Sequence, residues 1–346
     1  MAKKKPDTTK SSDAELNRSM LHSMLLQRRF EERCAEAYAL GKIGGFCHLY
    51  IGQEAVSTGC LSVLRPDDYI ITTYRDHGQA LARGMTPRAV MAELFGRIDG
   101  CARGKGGSMH MFDKSLNFLG GHGIVGAHVP LATGVGFAIK YRGGDQCIVC
   151  FMGESVVNTG AFHEALNMAG LWKLPVVYVI ENNRYGMGTA LERASAIHDI
   201  FERGAAYNMQ REQCDGQDVF AVRKAMQEAV DRARADSAPT LLEVRTYRFM
   251  GHSMSDAVSG TYRSKAELDE YMKRDPIMLL RMHMQENEEL TEDGLHKLDE
   301  EIKAVVQDAW DFADQSPEPP LEALFEDVLV DTTSDQIAEE LSPTAR

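Results

Sequence analysis

The sequence lacks several features that mark broad classes of protein. No apolar run approaches the roughly 20 residues that a membrane-spanning helix needs, so we expect no membrane contact. Positive charge is also in short supply: 38 lysines and arginines stand against 51 acidic residues, which gives a formal net charge of −13. Because nucleic-acid binders present a basic face, we expect no nucleic-acid partner.

The N-terminus lacks the features of a targeting segment. The stretch MAKKKPDTTKSSDAE has no apolar core, which argues against a secretory signal. No arginine precedes Arg18, which fits a mitochondrial transit peptide badly. We therefore expect a cytoplasmic protein of bacterial type rather than one of the mitochondrial matrix.

Cysteines in metal-binding patterns are missing as well. The seven cysteines include one CxxC pair, Cys147 and Cys150, and no second pair that would complete a zinc site. In an extended strand the two sulfurs of such a pair point to opposite faces. We interpret both as buried core residues.

The most informative segment of the sequence runs from Cys147 to Thr189. Two apolar runs, Cys147–Met152 and Val176–Ile180, enclose a helix-like segment, which predicts a βαβ unit with parallel, neighbouring strands. Glu154 and Asn183 follow the two runs. Since parallel sheets place ligands beyond the carboxyl ends of their strands, we expect these side chains to meet in a crevice suited to a hard cation and a phosphate.

Further segments predict the elements around this unit. Tyr69–Thr73 and Thr240–Thr246 have the composition of strands. A capping box at Ser12 and Glu15 and another at Ser264 and Glu267 predict helix starts. We expect one α/β domain over residues 12–320, whose C-terminal extension from about residue 264 is helical. Residues 1–11 are expected to be disordered, and residues 321–346 to form a second tail.

Three glycine-containing segments admit more than one interpretation. The loop from Gly96 to Gly107 carries Arg103 and Lys105 and is either an anion-binding loop or an ordinary surface loop. The glycines of residues 120–126 are expected in a loop that either cradles a ligand or allows close helix packing. His252, in a third such loop, is either catalytic or a surface residue. Apart from these three segments, residues 214–218 are expected to form a turn.

Several motifs follow one another in an order that resembles a known family. Gly153-Glu154-Ser155, followed after residues 156–181 by Asn182-Asn183, resembles the thiamin diphosphate signature of Gly-Asp-Gly and a later Asn-Asn. The chain from about residue 15 to about residue 320 is similar to the E1 α subunits of the thiamin diphosphate-dependent 2-oxo acid dehydrogenase family, especially the pyruvate type. The matching segments are FCHLYIGQEA, GCARGKGGSMHMF, GIVGAHVPLATG, GLWKLP, ENNRYGMGT and GHSMSD.

The resemblance implies a thiamin diphosphate-binding α/β fold with a mainly parallel sheet, helices on both faces, and helical terminal segments. It implies two cofactors, thiamin diphosphate and Mg²⁺, with Glu154, Asn183 and the Tyr185 carbonyl as metal ligands, an all-oxygen set that suits Mg²⁺. It implies catalytic roles for His252 and His48. The cofactor-binding positions that it implies are Tyr74, Arg75, Gly123, Val125, Glu154, Ser155, Val156, Asn183, Tyr185, Gly186 and His252, with the backbone at Ser155 and Val156 opening a helix.

The implied reaction is decarboxylation of a 2-oxo acid and transfer of the acyl group to lipoyl-lysine. The implied partners are an E1 β subunit, in an α₂β₂ assembly, and an E2 lipoyl acyltransferase. Pyruvate is the expected substrate, and branched-chain 2-oxo acids and acetoin are the alternative substrates. A third hypothesis is that the chain is a non-catalytic paralogue.

Two departures from the family's motif bear on the hypothesis of a non-catalytic paralogue. Glu154 replaces the family's Asp, and Ser155 replaces its glycine, which would be unfavourable if the backbone there has positive φ.

Overall fold

The computed structural model describes residues 8–327, so most of the two predicted tails, 1–11 and 321–346, lies outside the described residues. No helix within this part is both long enough and apolar enough to cross a bilayer.

Helices and strands alternate along the described part of the chain. The helices are α1 Thr8–Ala39, α2 Glu54–Leu61, α3 His77–Arg83, α4 Pro87–Leu94, α5 His128–Tyr141, α6 Gly160–Trp172, α7 Leu191–Ala194, α8 Val219–Asp236, α9 Lys265–Met272, α10 Pro276–Glu286 and α11 Glu292–Gln315. The strands are β1 Tyr69–Thr73, β2 Phe118–His122, β3 Ile148–Gly153, β4 Val176–Asn182, β5 Tyr185–Gly186, β6 Thr189–Ala190, β7 Gln210–Asp215 and β8 Thr240–Arg245.

Six strands form one parallel sheet in the order β2-β1-β3-β4-β8-β7. The inner strands are rich in β-branched and apolar residues and are buried on both faces, as parallel strands covered by helices require. In the pair β3 and β4, Ile148 lies beside Val176 and Gly153 beside Glu181. The predicted parallel βαβ unit is therefore confirmed.

Alternate residues of each strand contribute to two cores, one on each face of the sheet. On one face Val149 and Phe151 pack with residues of α1, α2, α3, α4, α8, α10 and α11. On the other face Ile148 and Cys150 pack with α5 and α6. Helices on both faces confirm the predicted fold class. Cys147 belongs to the first core and Cys150 to the second, so both are buried as interpreted.

The two edge strands are where sequence expectation and structure differ. The glycines at 120 and 121, expected in a loop, lie in β2, so that expectation is wrong for these two residues. The turn expected at residues 214–218 is present at residues 216–217 and leads into α8, but Cys214 and Asp215 belong to β7. An edge strand pairs on one side only, so glycine-containing or polar segments such as FLGGH and QREQCD can form one without an apolar pattern.

The predicted helix starts have mixed outcomes. Helix α1 begins at Thr8, so the prediction that Ser12 caps it is wrong, and the expected disorder of residues 8–11 is not what the structure has. Ser264 does cap α9, since its hydroxyl accepts the Glu267 N–H at 3.1 Å. The Glu267 carboxylate instead accepts the Tyr185 hydroxyl, at 2.9 Å. Helices α9, α10 and α11 make the C-terminal third mainly helical, as expected.

Candidate active site

A cavity of about 250 Å³ lies at the carboxyl ends of β3 and β4. Loops that follow neighbouring parallel strands meet at this edge, which brings together residues distant in sequence. Ten of the eleven predicted cofactor-binding residues line the cavity: Tyr74, Arg75, Val125, Glu154, Ser155, Val156, Asn183, Tyr185, Gly186 and His252.

Glu154 and Asn183 meet as the strand register requires. Glu154 is only 3% exposed, and burial raises the pKa of its carboxyl group, although Arg248 partly opposes the shift. Asn183 is also buried, and its Nδ2 donates to Gln53 Oε1 at 3.1 Å. That bond engages the amide nitrogen, while Oδ1 accepts the Tyr185 N–H at 3.4 Å. A cation would stabilise the ionised form of Glu154 here.

Ser155, which stands at the signature's glycine position, does not have the positive φ that would disfavour a side chain. Residues 154–158 form a 3₁₀ turn, and Ser155 is not among the described residues with positive φ. Its hydroxyl faces Gly186 so closely that a Cβ at Gly186 would overlap it. A helix does open at these residues as expected, but it is a 3₁₀ helix, and α6 begins only after its N-cap Thr159. The amides of Ser155 and Val156 belong to the 3₁₀ turn instead.

Arg75 is a buried cation on the cavity wall. Its two terminal nitrogens donate to the carbonyls of Leu49 and His252, each at 2.7 Å. Burial, and then the nearby Arg248, lower the pKa of Arg75 to about 10. Because its partners are neutral, its charge is not cancelled by an ion pair, and a bound anion would stabilise it.

Arg248 is a second buried cation on the wall, and sequence reasoning missed it. It is 1% exposed, and its guanidinium donates to the Tyr185 and Met187 carbonyls at 3.4 and 3.3 Å and to the Tyr262 hydroxyl at 2.8 Å. It thereby holds the turn that contains the predicted metal ligand Tyr185. Its place four residues before His252, in the same loop, was the available sequence signal.

The two predicted catalytic histidines pack together with Tyr74. The ring centroid of His48 lies 4.6 Å from that of Tyr74 and 5.2 Å from that of His252. His48 is not among the cavity-lining residues but contacts two that are. Burial, and then Arg75, lower the pKa of His252 to about 4 and that of His48 to about 2. Both rings are therefore neutral near pH 7, where each has one N–H donor and one acceptor nitrogen.

Glu181 and Gln53 are two further cavity residues absent from the predicted set. Burial raises the pKa of Glu181 to about 7, and its Oε1 accepts hydrogen bonds from the Tyr50 hydroxyl and from Gln79 Nε2, the latter at 2.9 Å. Gln53 has a buried Nε2 without a hydrogen-bond partner. Glu181 directly precedes Asn182-Asn183, so its position beside the signature was visible. Gln53 lies in the matching segment FCHLYIGQEA, which was the available sequence signal for it.

The glycine-rich loop from Gly96 to Gly107 binds an anion of its own chain. The Glu93 carboxylate accepts the N–H groups of Ala102, Gly104, Gly106 and Gly107, at 2.7–2.9 Å. The loop cations Arg103 and Lys105 pair with Glu326 and Asp327. Neither proposed reading of this loop anticipated an internal carboxylate.

The remaining predicted residue, Gly123, is not among those that line the cavity. A Cβ at Gly123 would lie 3.3 Å from the His110 ring. Its predicted cofactor contact, a main-chain one, therefore depends on a ligand that extends beyond the cavity.

A second cleft, of about 460 Å³, is lined by residues at and beyond the carboxyl ends of β4, β7 and β8. Its charges are paired with one another. The ion pairs that line it are Arg184–Glu192, Arg245–Asp199 and Arg274–Asp215.

Comparison with known proteins decides the family. Residues 22–322 match the model of the family described as "Dehydrogenase E1 component". The chain belongs to the dehydrogenase E1 component family. Among curated proteins, the pyruvate dehydrogenase E1 component subunit alpha of Rhizobium meliloti is 50% identical over 308 residues, covering 89% of this chain and 88% of the relative.

Two other curated E1 relatives show similar identity. The subunit of the same name from Rickettsia felis is 45% identical over 324 residues, 94% of this chain and 98% of the relative. The subunit of the same name from Zymomonas mobilis is 49% identical over 309 residues, which cover 89% of this chain and 86% of the relative. The match to this family confirms the resemblance predicted from the motifs.

The cavity of this E1 chain fits a metal-bound diphosphate in its chemistry. Glu154, Asn183 and the Tyr185 carbonyl supply oxygen donors, which Mg²⁺ prefers. Arg75 and Arg248 supply buried positive charge, which suits phosphate oxygens. The unpartnered Gln53 Nε2 and His252 Nδ1 are buried donors or acceptors that a polar ligand would satisfy.

Proposed function

We propose that this chain is the α subunit of a pyruvate dehydrogenase E1 component, with thiamin diphosphate and Mg²⁺ as cofactors. The proposed reaction converts pyruvate and oxidised lipoyl-lysine of an E2 acyltransferase into CO₂ and an S-acetyl dihydrolipoyl group. The acyl carbon is oxidised and the lipoyl disulfide is reduced. The bacterial relatives favour a cytoplasmic location for the complex.

The observation that carries the proposal is the convergence of Glu154, Asn183 and Tyr185 on one buried cavity, in a chain of the E1 family. These three residues would hold the metal, and Arg75 and Arg248 would hold the diphosphate. Bound thiamin diphosphate supplies the capacity to stabilise negative charge on the substrate carbon.

The chain's own residues orient the cofactor and form hydrogen bonds around it. Burial and neighbouring arginines hold His252 and His48 neutral, so each ring can donate one hydrogen bond and accept another near pH 7. Tyr74 packs against both rings and restricts their orientation. Glu154 in place of aspartate keeps the carboxylate ligand, and the backbone at Ser155, which does not have positive φ, is compatible with retained cofactor binding.

The proposal includes a β subunit that completes the site in an α₂β₂ assembly. Several large apolar side chains are exposed beside the cavity and along α5 and α6, where a monomer would be expected to present polar ones. Val125 and Met187 line the cavity itself and are 46% and 64% exposed. The others are Ile124, Leu131, Phe137, Tyr141, Leu171 and Trp172.

The test is co-expression of the chain with its β partner. We expect Mg²⁺-dependent binding of thiamin diphosphate by calorimetry, and faster decarboxylation of pyruvate than of 2-oxoisovalerate or acetoin with an artificial electron acceptor. Faster turnover of either alternative substrate would reassign the enzyme. Absence of Mg²⁺-dependent binding would favour a non-catalytic paralogue.

A further inference from the structure

Three buried polar side chains outside the cavity form a continuous hydrogen-bonded chain. Glu31 on α1, His77 at the start of α3 and Ser108 in the glycine-rich loop are each at most 4% exposed. Glu31 Oε2 lies 3.0 Å from His77 Nδ1, and His77 Nε2 lies 2.9 Å from Ser108 Oγ. None of the three lines the cavity.

Both ends of this chain reach the candidate active site. Ser108 Oγ accepts the backbone N–H of His48 at 3.4 Å. Glu31 Oε1 accepts the backbone N–H of Tyr50 at 2.8 Å, and the Tyr50 hydroxyl donates to the cavity residue Glu181. Residues 48 and 50 are thus fixed from both sides by one network.

The order serine, histidine, glutamate is also that of a nucleophilic triad. Two observations argue against that reading. Ser108 is buried, and the neighbouring N–H groups of Gly106 and Gly107, which could have formed an oxyanion hole, donate to Glu93 Oε1 at 2.7 and 2.9 Å. These two N–H groups are therefore not free to stabilise a developing negative charge on a substrate.

A metal site is the other reading. Ligand atoms of Glu31, Cys34 and His77 lie within 4.8 Å of one another. Both Glu31 oxygens and both His77 nitrogens already have hydrogen-bond partners, however, so a metal ion would have to compete with three existing hydrogen bonds. The network is complete without one.

We infer that Glu31, His77 and Ser108 are positioning residues for the active site, acting through His48 and Tyr50. A buried polar network is stable only when every member is satisfied, so loss of one member leaves its partner without a hydrogen bond and lets it shift. The inference rests on the proposed function and extends the site to α1, which contributes no cavity residue.

The test uses the chain in complex with its β partner and three variants: Glu31→Gln, Ser108→Ala and the double variant. The matched control is Glu32→Gln, which changes the adjacent glutamate of α1, whose side chain is 45% exposed and pairs with Arg29. Each protein is measured for thiamin diphosphate affinity by calorimetry with Mg²⁺, for kcat and KM with pyruvate, and for thermal stability.

We expect each single variant to lower kcat and cofactor affinity by about tenfold with little change in KM, as loss of one buried hydrogen bond predicts. In the double variant, kcat and cofactor affinity should fall no further than in the more impaired single variant, because both substitutions interrupt the same hydrogen-bonded network. Glu32→Gln should match the wild type.

Additive losses in the double variant would overturn the inference, since independent effects indicate general destabilisation. If Glu31→Gln does not fold, Ser108→Ala decides alone, because it removes one hydroxyl group; unchanged affinity and kcat would then overturn the inference. If the wild-type protein binds stoichiometric zinc and Glu31→Gln abolishes that binding, these residues form a metal site and the positioning inference is overturned. A wild-type complex without Mg²⁺-dependent cofactor binding would refute the proposed function itself.

Discussion

The cavity at the ends of β3 and β4 and the cleft beyond β4, β7 and β8 differ in how their charges are satisfied. In the cleft, each arginine of the three ion pairs faces an acidic partner, and most of these side chains are well exposed. In the cavity, Arg75 and Arg248 are buried against neutral oxygens, and the pKa of Glu154 is raised by burial.

The cleft is nevertheless the larger of the two, about 460 Å³ against about 250 Å³. Among the described residues, the buried polar atoms without a partner include Gln53 Nε2 and His252 Nδ1 in the cavity and none from the residues that line the cleft. The cavity therefore differs from the cleft in its unsatisfied buried polar atoms and not in greater volume, and this difference favours the cavity as the ligand site, because a polar ligand would satisfy such atoms.

The largest difference between the two regions should appear on removal of a carboxylate. Glu154→Ala should lower Mg²⁺-dependent thiamin diphosphate affinity by more than about 100-fold, because it deletes a proposed metal ligand. Glu154→Asp should preserve or tighten binding. Glu192→Ala, in the cleft, removes a 44% exposed side chain of a surface ion pair and should leave affinity within about twofold. Calorimetry of the α–β complex measures all three, and an unchanged affinity in Glu154→Ala would mean that this acid is not a ligand.

Removal of a cation should give the next largest difference. Arg248→Met should weaken cofactor binding by about 10- to 100-fold, since it deletes buried positive charge and the bonds that hold Tyr185 and Met187. Arg274→Met, in the cleft, removes a 53% exposed guanidinium and should change affinity by less than about threefold. Equal effects of the two variants would refute the contrast between cavity and cleft. Arg248→Lys, which keeps the charge, separates loss of charge from loss of hydrogen bonds.

A smaller effect tests how tightly the cavity wall is packed at Ser155. Gly186→Ala adds a methyl group that overlaps the Ser155 hydroxyl, so cofactor affinity should fall by about five- to tenfold. The second change Ser155→Gly removes the hydroxyl and should restore binding. If the double variant binds as poorly as Gly186→Ala alone, the loss has another cause, such as a stiffer backbone at residue 186.

The smallest expected effect is a pH dependence of stability that the cavity histidine confers. His252 has its pKa lowered from 6.5 to about 4, so the unfolded chain binds a proton below pH 6.5 that the folded chain does not bind until about pH 4. Stability should therefore fall as pH decreases through this window. His252→Gln should flatten the decrease in melting temperature, whereas Arg274→Met should keep the wild-type slope. Parallel curves for His252→Gln and the wild type would contradict the lowered pKa.

Much of the fold was predictable because its inner strands are continuous apolar runs. β1, β3, β4 and β8 begin and end within two residues of the predicted positions. β2 and β7 were not predictable, since edge strands are defined by pairing with a neighbour and not by a pattern of their own. The start of α1 at Thr8 was also missed, because a capping signal at Ser12 does not prevent the preceding residues from being helical.

The candidate site divides in the same way. The sequence by itself determined that Glu154 and Asn183 meet, because two apolar runs joined by one helix must lie parallel and side by side, and each residue directly follows its strand. Motif order predicted the family, and the match over residues 22–322 confirmed it.

Only the tertiary structure decided which other polar groups reach the cavity. Gln53, Glu181 and Arg248 come from three separate segments, and Glu31 meets His77 across 46 residues of sequence. Such contacts depend on how helices and loops pack over the sheet, and the direction of a side chain after its strand ends follows no sequence period.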